Sequence, residues 1–391
     1  MPDSAPDAGA DLTVGPITPE EHLAFLAARG SASFLQTPGW GKVKTEWRSE
    51  SLGWRRAGDA HGELVGAALV LHREAPLVRR SLAYLPEGPV IDWQTEHLGA
   101  WLRPLAAHLK AGGAFGVRIG PPVVTRRWSA AQVKEGIADE GVASLTELPP
   151  RERDRAGARV VSQLRELGWR LQAVTGGFAA GQPQYNFVIP LREDDGRPRS
   201  PDEVLKGMNQ LWRRNIKKAA KAGVKVRRGT LEDLPAFHQL YSLTAQRDHF
   251  TPRPLAYFSR MFSALDAEDP GGGRIRLYLA EHEGDLVAST IWIRVGGHTW
   301  YSYGASSTEK REVRGSNAVQ WQMICDSLEV GADVYDLRGI TDTLDADDPH
   351  VGLIQFKVGT GGEAVEYAGE WDLPLRRPLY AAFDLYMKRR G

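Results

Sequence analysis

The chain has 391 residues, 42% of them hydrophobic and 25% charged, which fits a globular protein of roughly two to three domains and excludes a disordered, collagen-like or coiled-coil one. Lysine and arginine number 49, as do aspartate and glutamate, so only the local distribution of charge can mark an electrostatic partner. The single cysteine, Cys325, excludes an internal disulfide and a cysteine-based zinc cluster and points to a reducing compartment, most simply the cytoplasm. Apolar stretches such as Gly66 to Leu71 fall far short of the ~20 residues of a spanning helix. Asp3, Asp7 and Asp11 put negative charge where a secretory signal is positive, and residues 1–12 are expected to form a short disordered lead.

Along the chain, a helix is expected near Pro19 to Arg29, followed by the run Phe34-Leu35-Gln36-Thr37-Pro38-Gly39-Trp40-Gly41-Lys42-Val43-Lys44. Strand-like runs occupy Glu63 to His72, Ser81 to Leu85 and Phe115 to Ile119, and a helix from Trp101 to Lys110 stops at Gly112-Gly113. Arg155 to Leu167 reads as a further helix ended by Gly168. Gly176 to Pro183 reads as a glycine-rich turn, and Tyr185 to Leu191 as a strand. Ser200-Pro201-Asp202-Glu203 carries a capping serine, a proline suited to the first helical position and a glutamate that completes a capping box. Leu205, Met208, Trp212, Ile216 and Ala219 then recur at three- and four-residue steps, which predicts a single amphipathic helix from Ser200 to the stop at Gly223.

This helix is strongly basic. Between Val204 and Leu231 stand Lys206, Arg213, Arg214, Lys217, Lys218, Lys221, Lys225, Arg227 and Arg228, with no acidic residue among them. Such a run is either a solvated face with snorkelling lysines or a contact for a polyanion; in the second case the contacts go mainly to phosphates and are salt-sensitive. Helices follow near Leu231 to Gln246 and Leu255 to Leu265. Strands Ile275 to Glu281 and Leu286 to Val295 flank the turn His282-Glu283-Gly284-Asp285. Then come a strand at Thr299 to Tyr303, a helix at Ser316 to Glu329, a strand at Val334 to Leu337 and an acidic loop from Asp342 to Asp348. The order predicts an α/β (α+β) fold in which the second half is an acetyltransferase-type lobe and the first half a looser version of it.

An acetyltransferase lobe binds the pyrophosphate of coenzyme A at a glycine-rich turn opening the helix after its third strand. Here that turn reads Glu312-Val313-Arg314-Gly315-Ser316-Asn317, and a carboxylate beside a pyrophosphate argues against coenzyme A. Lys357, in Leu353-Ile354-Gln355-Phe356-Lys357-Val358-Gly359-Thr360-Gly361-Gly362, is either a strand-end residue facing solvent or a charge placed at a cleft. Asp342, Asp345, Asp347 and Asp348 lack the glycine and terminal glutamate of a calcium loop, so no metal is expected. No Gly-x-Ser-x-Gly elbow occurs, and Cys325 has no obvious base nearby, so covalent catalysis is not indicated.

Four ordered segments resemble the Fem family, the peptidoglycan-bridge aminoacyltransferases of FemABX type that use charged tRNA. They are Phe34-Leu35-Gln36-Thr37-Pro38-x-Trp40-x-x-Val43-Lys44, Trp212-Arg213-Arg214-Asn215-Ile216-Lys217-Lys218-Ala219-x-Lys221-x-Gly223-Val224, Tyr303-Gly304-Ala305-Ser306, and Phe356-Lys357-x-Gly359-x-Gly361-Gly362. The resemblance runs from about residue 30 to the C-terminus. It implies two acetyltransferase-like lobes, residues 13–182 plus 369–391 for precursor binding and residues 183–368 as the tRNA side, the C-terminal segment returning to the first lobe. Some members insert a long helical arm; the predicted single helix from Ser200 to Gly223 suggests the armless, FemX-like subgroup. By the same resemblance, Lys44, Arg253, Tyr257 and Tyr303 hold the precursor, and Phe356 and Lys357 stand near the reacting ester. Arg213, Arg214, Lys217, Lys218 and Lys221 contact tRNA. Where the family often has Arg-Ile-Asp-Pro, this chain has Arg118-Ile119-Gly120-Pro121 and lacks the carboxylate.

The implied reaction needs aminoacyl-tRNA as co-substrate and no further cofactor. Its acceptor is a muramyl-pentapeptide precursor in nucleotide-linked or lipid-linked form, with peripheral membrane contact through the latter, and no DNA partner is expected. The Ala-, Arg- and Gly-rich composition points to a high-GC bacterium, and for such a source the resemblance implies glycine from Gly-tRNA added to a diaminopimelate residue. A tRNA-dependent amide-forming enzyme of natural-product biosynthesis, a non-catalytic RNA-binding protein on the same scaffold and a conventional coenzyme A acetyltransferase are the competing readings.

Overall fold

Period-two alternation puts Leu52, Trp54, Val70, Ala83 and Leu85 on one face of neighbouring strands. That face is buried under the apolar stripe of helix Leu98–Ala111, through Leu98, Trp101, Leu102, Leu105 and Leu109. Each such leucine contributes about 1.5–3 kcal/mol of burial. The sheet runs in the order Leu12–Pro16, Arg48–Arg56, Gly66–Glu74, Ser81–Leu85, Ala114–Ile119, Trp371–Pro374, Arg170–Leu171. Ser81–Leu85 and Ala114–Ile119 are parallel, and helix Leu98–Ala111 is the crossover that parallel pairing requires.

A second sheet repeats this plan. It runs Lys225–Gly229, Ile275–His282, Asp285–Val295, His298–Ser306, Val334–Ile340, Tyr185–Pro190, and continues with Glu363–Tyr367 and Val124–Ser129. Its parallel pair, His298–Ser306 with Val334–Ile340, is crossed over by helix Gly315–Glu329. Trp292, Tyr278, Tyr335, Met323 and Ile324 lie at the centre of the core beneath it. At the turn between Ile275–His282 and Asp285–Val295, Glu283 (φ +52°) and Gly284 (φ +85°) are both left-handed, the conformation a two-residue hairpin demands.

This computed structural model describes residues 11–56, 58, 62–75, 79–172, 181–348 and 350–388. Residues 1–10 of the expected lead and 176–180 of the expected glycine-rich turn lie outside them. The chain divides into two compact units: Met1–Arg126, Glu152–Gln184 and Glu366–Gly391 in the first, and Arg127–Arg151 with Tyr185–Val365 in the second. Residues 127–151, which the sequence reading counts with the first lobe, cluster with the second unit. They contain helix Ala130–Ala138, capped by Ser129, and Leu145, which joins the second core. Leu12, counted with the lead, begins a strand.

The expected single helix from Ser200 to Gly223 is two helices, Pro201–Gly207 and Gln210–Lys221. The capping box at Ser200 and Glu203 forms as expected. Met208 then turns extended (ψ 151°), and Asn209 caps the second helix by accepting a hydrogen bond from the Trp212 N–H at 2.9 Å. The break is fixed from a distance in sequence. Asn209 N–H donates to the Gly359 carbonyl at 3.0 Å. Gly361, at φ +77°, lies so close that a Cβ there would stand 2.1 Å from the Gly207 carbonyl oxygen. The apolar periodicity continues across the break, which is why the sequence reads as one helix.

Candidate active site

Parallel strands His298–Ser306 and Val334–Ile340 pair only from His298 to Trp300 against Val334 to Asp336. Beyond that point no register between them continues. The ladders on the outer sides are also interrupted, between Ser289 and Ile291 and between Asp336 and Gly339. Tyr303 (φ +51°) and Arg338 (φ +63°), one on each strand, sit just past the split in the left-handed region, which costs an ordinary residue energy.

The carbonyls released from sheet pairing are occupied by a lysine. Lys357 lies in helix Val351–Val358, 3% exposed, and its Nζ donates to the Gly339 oxygen at 2.6 Å and to the Arg338 oxygen at 3.2 Å. The alternative of a strand-end residue facing solvent is thereby corrected: the segment is helical and the amine is enclosed. Gly352 and the glycines after Val358 hide that helix in the sequence. Burial pushes the Lys357 amine down to about 7, with Asp336 pulling it up and Arg338 pushing it further down. Asp336 is itself buried. Burial alone would raise its carboxyl, but hydrogen bonding and charge from His298, with Arg338 beside it, bring the net shift below the ordinary value. His298 Nε2 lies 3.3 Å from Asp336 Oδ2, and the His298 ring stacks on Trp300 at 4.1 Å.

Tyr303 belongs to an aromatic cluster. Its hydroxyl lies 2.8 Å from that of Tyr257, and its ring meets those of Phe258 and Tyr241 edge to face at 5.2 and 6.2 Å. Burial raises the Tyr303 hydroxyl, while the Tyr257 hydrogen bond and the charges of Arg253 and Arg338 oppose the shift. Arg253 places its guanidinium 5.5 Å from the Tyr257 ring centroid. Proline at 254 ends the extended entry, and helix Leu255–Asp266 turns Tyr257 inward. Arg253, Tyr257 and Tyr303 are thus brought together.

Phe356 stacks obliquely on Trp212 at 4.8 Å, and its carbonyl accepts from Trp212 Nε1 at 2.9 Å. Trp212 is the buried anchor of helix Gln210–Lys221, which carries Arg213, Arg214, Lys217, Lys218 and Lys221. Arg214, Lys217, Lys218 and Lys221 are exposed, Arg213 half-buried, and none makes an ion pair among the described residues. Arg227 and Arg228 differ. Arg227 pairs with Asp233 at 2.8 Å and Glu281 at 2.9 Å, and Arg228 with Asp326 at 2.7 Å. The acid-free run is therefore partly neutralised by carboxylates from elsewhere in the chain.

Lys44 belongs to the first unit. It caps helix Pro38–Val43, with its Nζ 5.5 Å from the Trp40 ring centroid. The preceding motif is explained by Gln36, fully buried, whose amide donates to the Pro86 oxygen at 2.8 Å and accepts from the Leu69 N–H at 3.1 Å. At Gly120, where the resembling motif carries a carboxylate, a Cβ would lie 3.8 Å from Glu370 Cγ. Arg118 beside it is held by Asp372 through two 2.7 Å contacts.

Sequence reasoning missed Arg338, Asp336 and His298, whose roles depend on where two strands part. It took Trp212 as an apolar repeat, although the same residue reaches the Phe356 carbonyl. In the turn Glu312 to Asn317, Arg314 is left-handed (φ +63°) and Gly315 opens the helix, leaving room for Val287, whose Cγ2 would lie 2.7 Å from a Cβ. Burial raises the Cys325 thiol to about 11, so it is not a nucleophilic thiolate at neutral pH. Among the described residues no group of three or more His, Cys, Asp or Glu side chains is placed to hold a metal ion.

Comparison with known proteins bears on both fold and family. A solved structure of FemX superposes with a TM-score of 0.76 at 23% identity, covering 94% of this chain and 99% of that one. A tandem GNAT protein from the clavulanic acid biosynthesis pathway superposes at 0.51 with 12% identity, covering 93% and 98%. The fold is accordingly the tandem acetyltransferase-like one. Among curated proteins, the chain is similar to the lipid II:glycine glycyltransferase of Staphylococcus aureus (strain MRSA252), 26% identical over 435 aligned positions that cover 94% of each. The protein of the same name from Staphylococcus epidermidis is 25% identical over 93% of each. The family model described as FemAB matches residues 17–268 and 276–388. A match of that extent leaves no part of the site outside it, and the chain belongs to the FemAB family.

Proposed function

We propose that this protein is an aminoacyltransferase that moves an amino acid, glycine in the first instance, from charged tRNA to the side-chain amine of a peptidoglycan precursor. The relatives named lipid II:glycine glycyltransferase support the transfer and the class of acceptor. Helix Gln210–Lys221 supports the tRNA side, since its unpaired cations suit a phosphate backbone. Lys44 in the first unit is the proposed precursor contact, with Arg253, Tyr257 and Tyr303 completing the set. Among the described residues no helix is long and apolar enough to cross a membrane, and the proposed place of action is the cytoplasmic side, reaching the lipid-linked acceptor peripherally.

The observation that carries the reading is the enclosed Lys357 amine with two of its hydrogens committed to carbonyls. In its ammonium form one N–H remains to stabilise charge on the carbonyl oxygen of the aminoacyl ester. The acceptor nitrogen adds to that carbonyl carbon; the intermediate then collapses by cleavage of the carbon–oxygen bond to ribose, and the proton lost by nitrogen ends on the ribose oxygen. The ester is already activated, so positioning supplies most of the rate, and an oxyanion donor adds about 2.7–4 kcal/mol.

The test is incubation of the intact protein with total tRNA charged with mixed amino acids and with nucleotide- and lipid-linked precursors containing diaminopimelate, followed by mass spectrometry. A gain of one glycine residue on a precursor is the expected result. No gain on either precursor, with tRNA demonstrably bound, overturns the proposed activity.

A further inference from the structure

The first unit contains a polar cavity that the proposed reaction does not use. Cross-strand pairs Arg48 with His72 and Glu74 with Ser81 put these side chains, with Glu50, on one face of the sheet. It is the face that carries Leu52, Val70 and Ala83 into the core, and opposite to the one carrying Arg73 and Tyr84. Where the apolar residues end, under the last turn of helix Leu98–Ala111, a cavity of about 410 Å³ opens between this polar cluster, Arg79, Arg80 and His108. That volume falls within the ~300–1,000 Å³ of small-molecule sites.

Its floor is built and its cations are in excess. His72, 2% exposed, has Nε2 2.7 Å from Glu50 Oε1 and Nδ1 3.1 Å from Ser81 Oγ. The His72 hydrogen bond holds the Glu50 carboxyl below its ordinary value against the opposing effect of burial. Glu50 is therefore committed to His72, and the nearest Arg48 nitrogen stands 4.0 Å away from it. Arg79 and Arg80 make no ion pair among the described residues, which leaves Glu74 as the one uncommitted carboxylate for three guanidinium groups. The backbone accommodates the cluster. Arg79 is left-handed at φ +40°. Gly113, at φ +94°, makes room for Arg80, whose Nη1 would lie 2.9 Å from a Cβ there. Arg79 is exposed and Arg80 half-buried, and strain and a glycine vacancy that both serve unpaired arginines fit a cavity that takes an anion from solvent.

We propose that this cavity binds a small phosphorylated metabolite, its phosphate held by Arg48, Arg79, Arg80 and His108 and its hydroxyls by Glu74 and Ser81. The guanidinium fork matches phosphate oxygens two at a time. A dianion uses the excess positive charge that a single carboxylate leaves unbalanced, and Glu74 and Ser81, which line the same cavity, suit a polyol carrier.

Calorimetric titration of the full chain at low ionic strength tests this with glucose 6-phosphate, inorganic phosphate, glucose and citrate as probes. The expected result is saturable binding of one glucose 6-phosphate, weaker binding of inorganic phosphate and no heat from glucose. Arg79→Ala with Arg80→Ala is expected to weaken the ester at least ~10-fold, the effect of removing charge-assisted hydrogen bonds, with the thermal melt unchanged. Three outcomes overturn the proposal: no saturable heat with the ester, undiminished affinity in the double variant, or citrate binding as tightly as the ester. So does a double variant that loses tRNA in a gel shift, which would assign the arginines to a nucleic-acid surface.

Discussion

Inside the second unit the Lys357 amine is poised between two protonation states, because enclosure opposes its charge and two carbonyl oxygens favour its hydrogens. Its folded value of about 7 lies below the ordinary 10.5. Between these values the unfolded chain binds more protons than the folded one, so stability rises with pH over that window. At pH 6 both states are charged and the folded state bears the full penalty. Lys357→Met removes this dependence. Wild type is expected to gain roughly 2–3 kcal/mol on the variant between pH 6 and pH 9, measured by urea melts at each pH; parallel pH curves would remove the buried-amine account. Lys357→Ala is expected to lower turnover at least ~100-fold with the fold intact, and the wild-type rate limb governed by the ammonium falls as pH rises through about 7. The lysine was legible through its Phe-Lys-x-Gly-x-Gly-Gly neighbourhood. Its burial was not, because the carbonyls that receive it come from Arg338 and Gly339, where a parallel ladder stops.

At the level of single elements, helix Gln210–Lys221 separates cations that are available from cations that are spent. Reversing Lys217, Lys218 and Lys221 to glutamate is expected to weaken tRNA binding by at least ~10-fold while leaving precursor binding within twofold. Arg227→Glu, although it belongs to the same run, is expected to leave tRNA affinity nearly unchanged and to lower stability instead, since Arg227 already faces Asp233 and Glu281. Filter binding and thermal melts on both variants check this. Equal losses of tRNA affinity would mean that the whole run, and not the helix, forms the contact. The helix face was legible from the spacing of Trp212, Ile216 and Ala219. The break at Met208 and Asn209 was not, since it is enforced by Gly359 and Gly361, about 150 residues later.

For the molecule as a whole, the alternation of strands and helices makes the fold class readable in the sequence, and each unit repeats a parallel pair bridged by one helix. The resemblance implied that the C-terminal segment returns to the first lobe; what the linear order did not convey is that residues 127–151 cluster with the second unit, while Glu366–Gly391 clusters with the first. Strand Trp371–Pro374 enters the first sheet between Ala114–Ile119 and Arg170–Leu171. The zero net charge was equally uninformative. If Arg214, Lys217, Lys218 and Lys221 each meet one phosphate, tRNA affinity is expected to fall about 100-fold between 50 and 200 mM salt. A flat salt response in filter binding would exclude a phosphate-dominated contact despite the basic helix.

Asn209 and Trp212 stitch the foot of the basic helix to the segment that ends in Gly359, through hydrogen bonds of 3.0 and 2.9 Å. Gly359 and Gly361 close the seam so tightly that a methyl group at either would collide with Trp212 or with the Gly207 carbonyl. Such a seam has no slack. The helix that bears Lys217, Lys218 and Lys221 and the short helix from which the Lys357 amine projects therefore share one joint. Cations and amine are thus carried by neighbours that cannot part without breaking both hydrogen bonds.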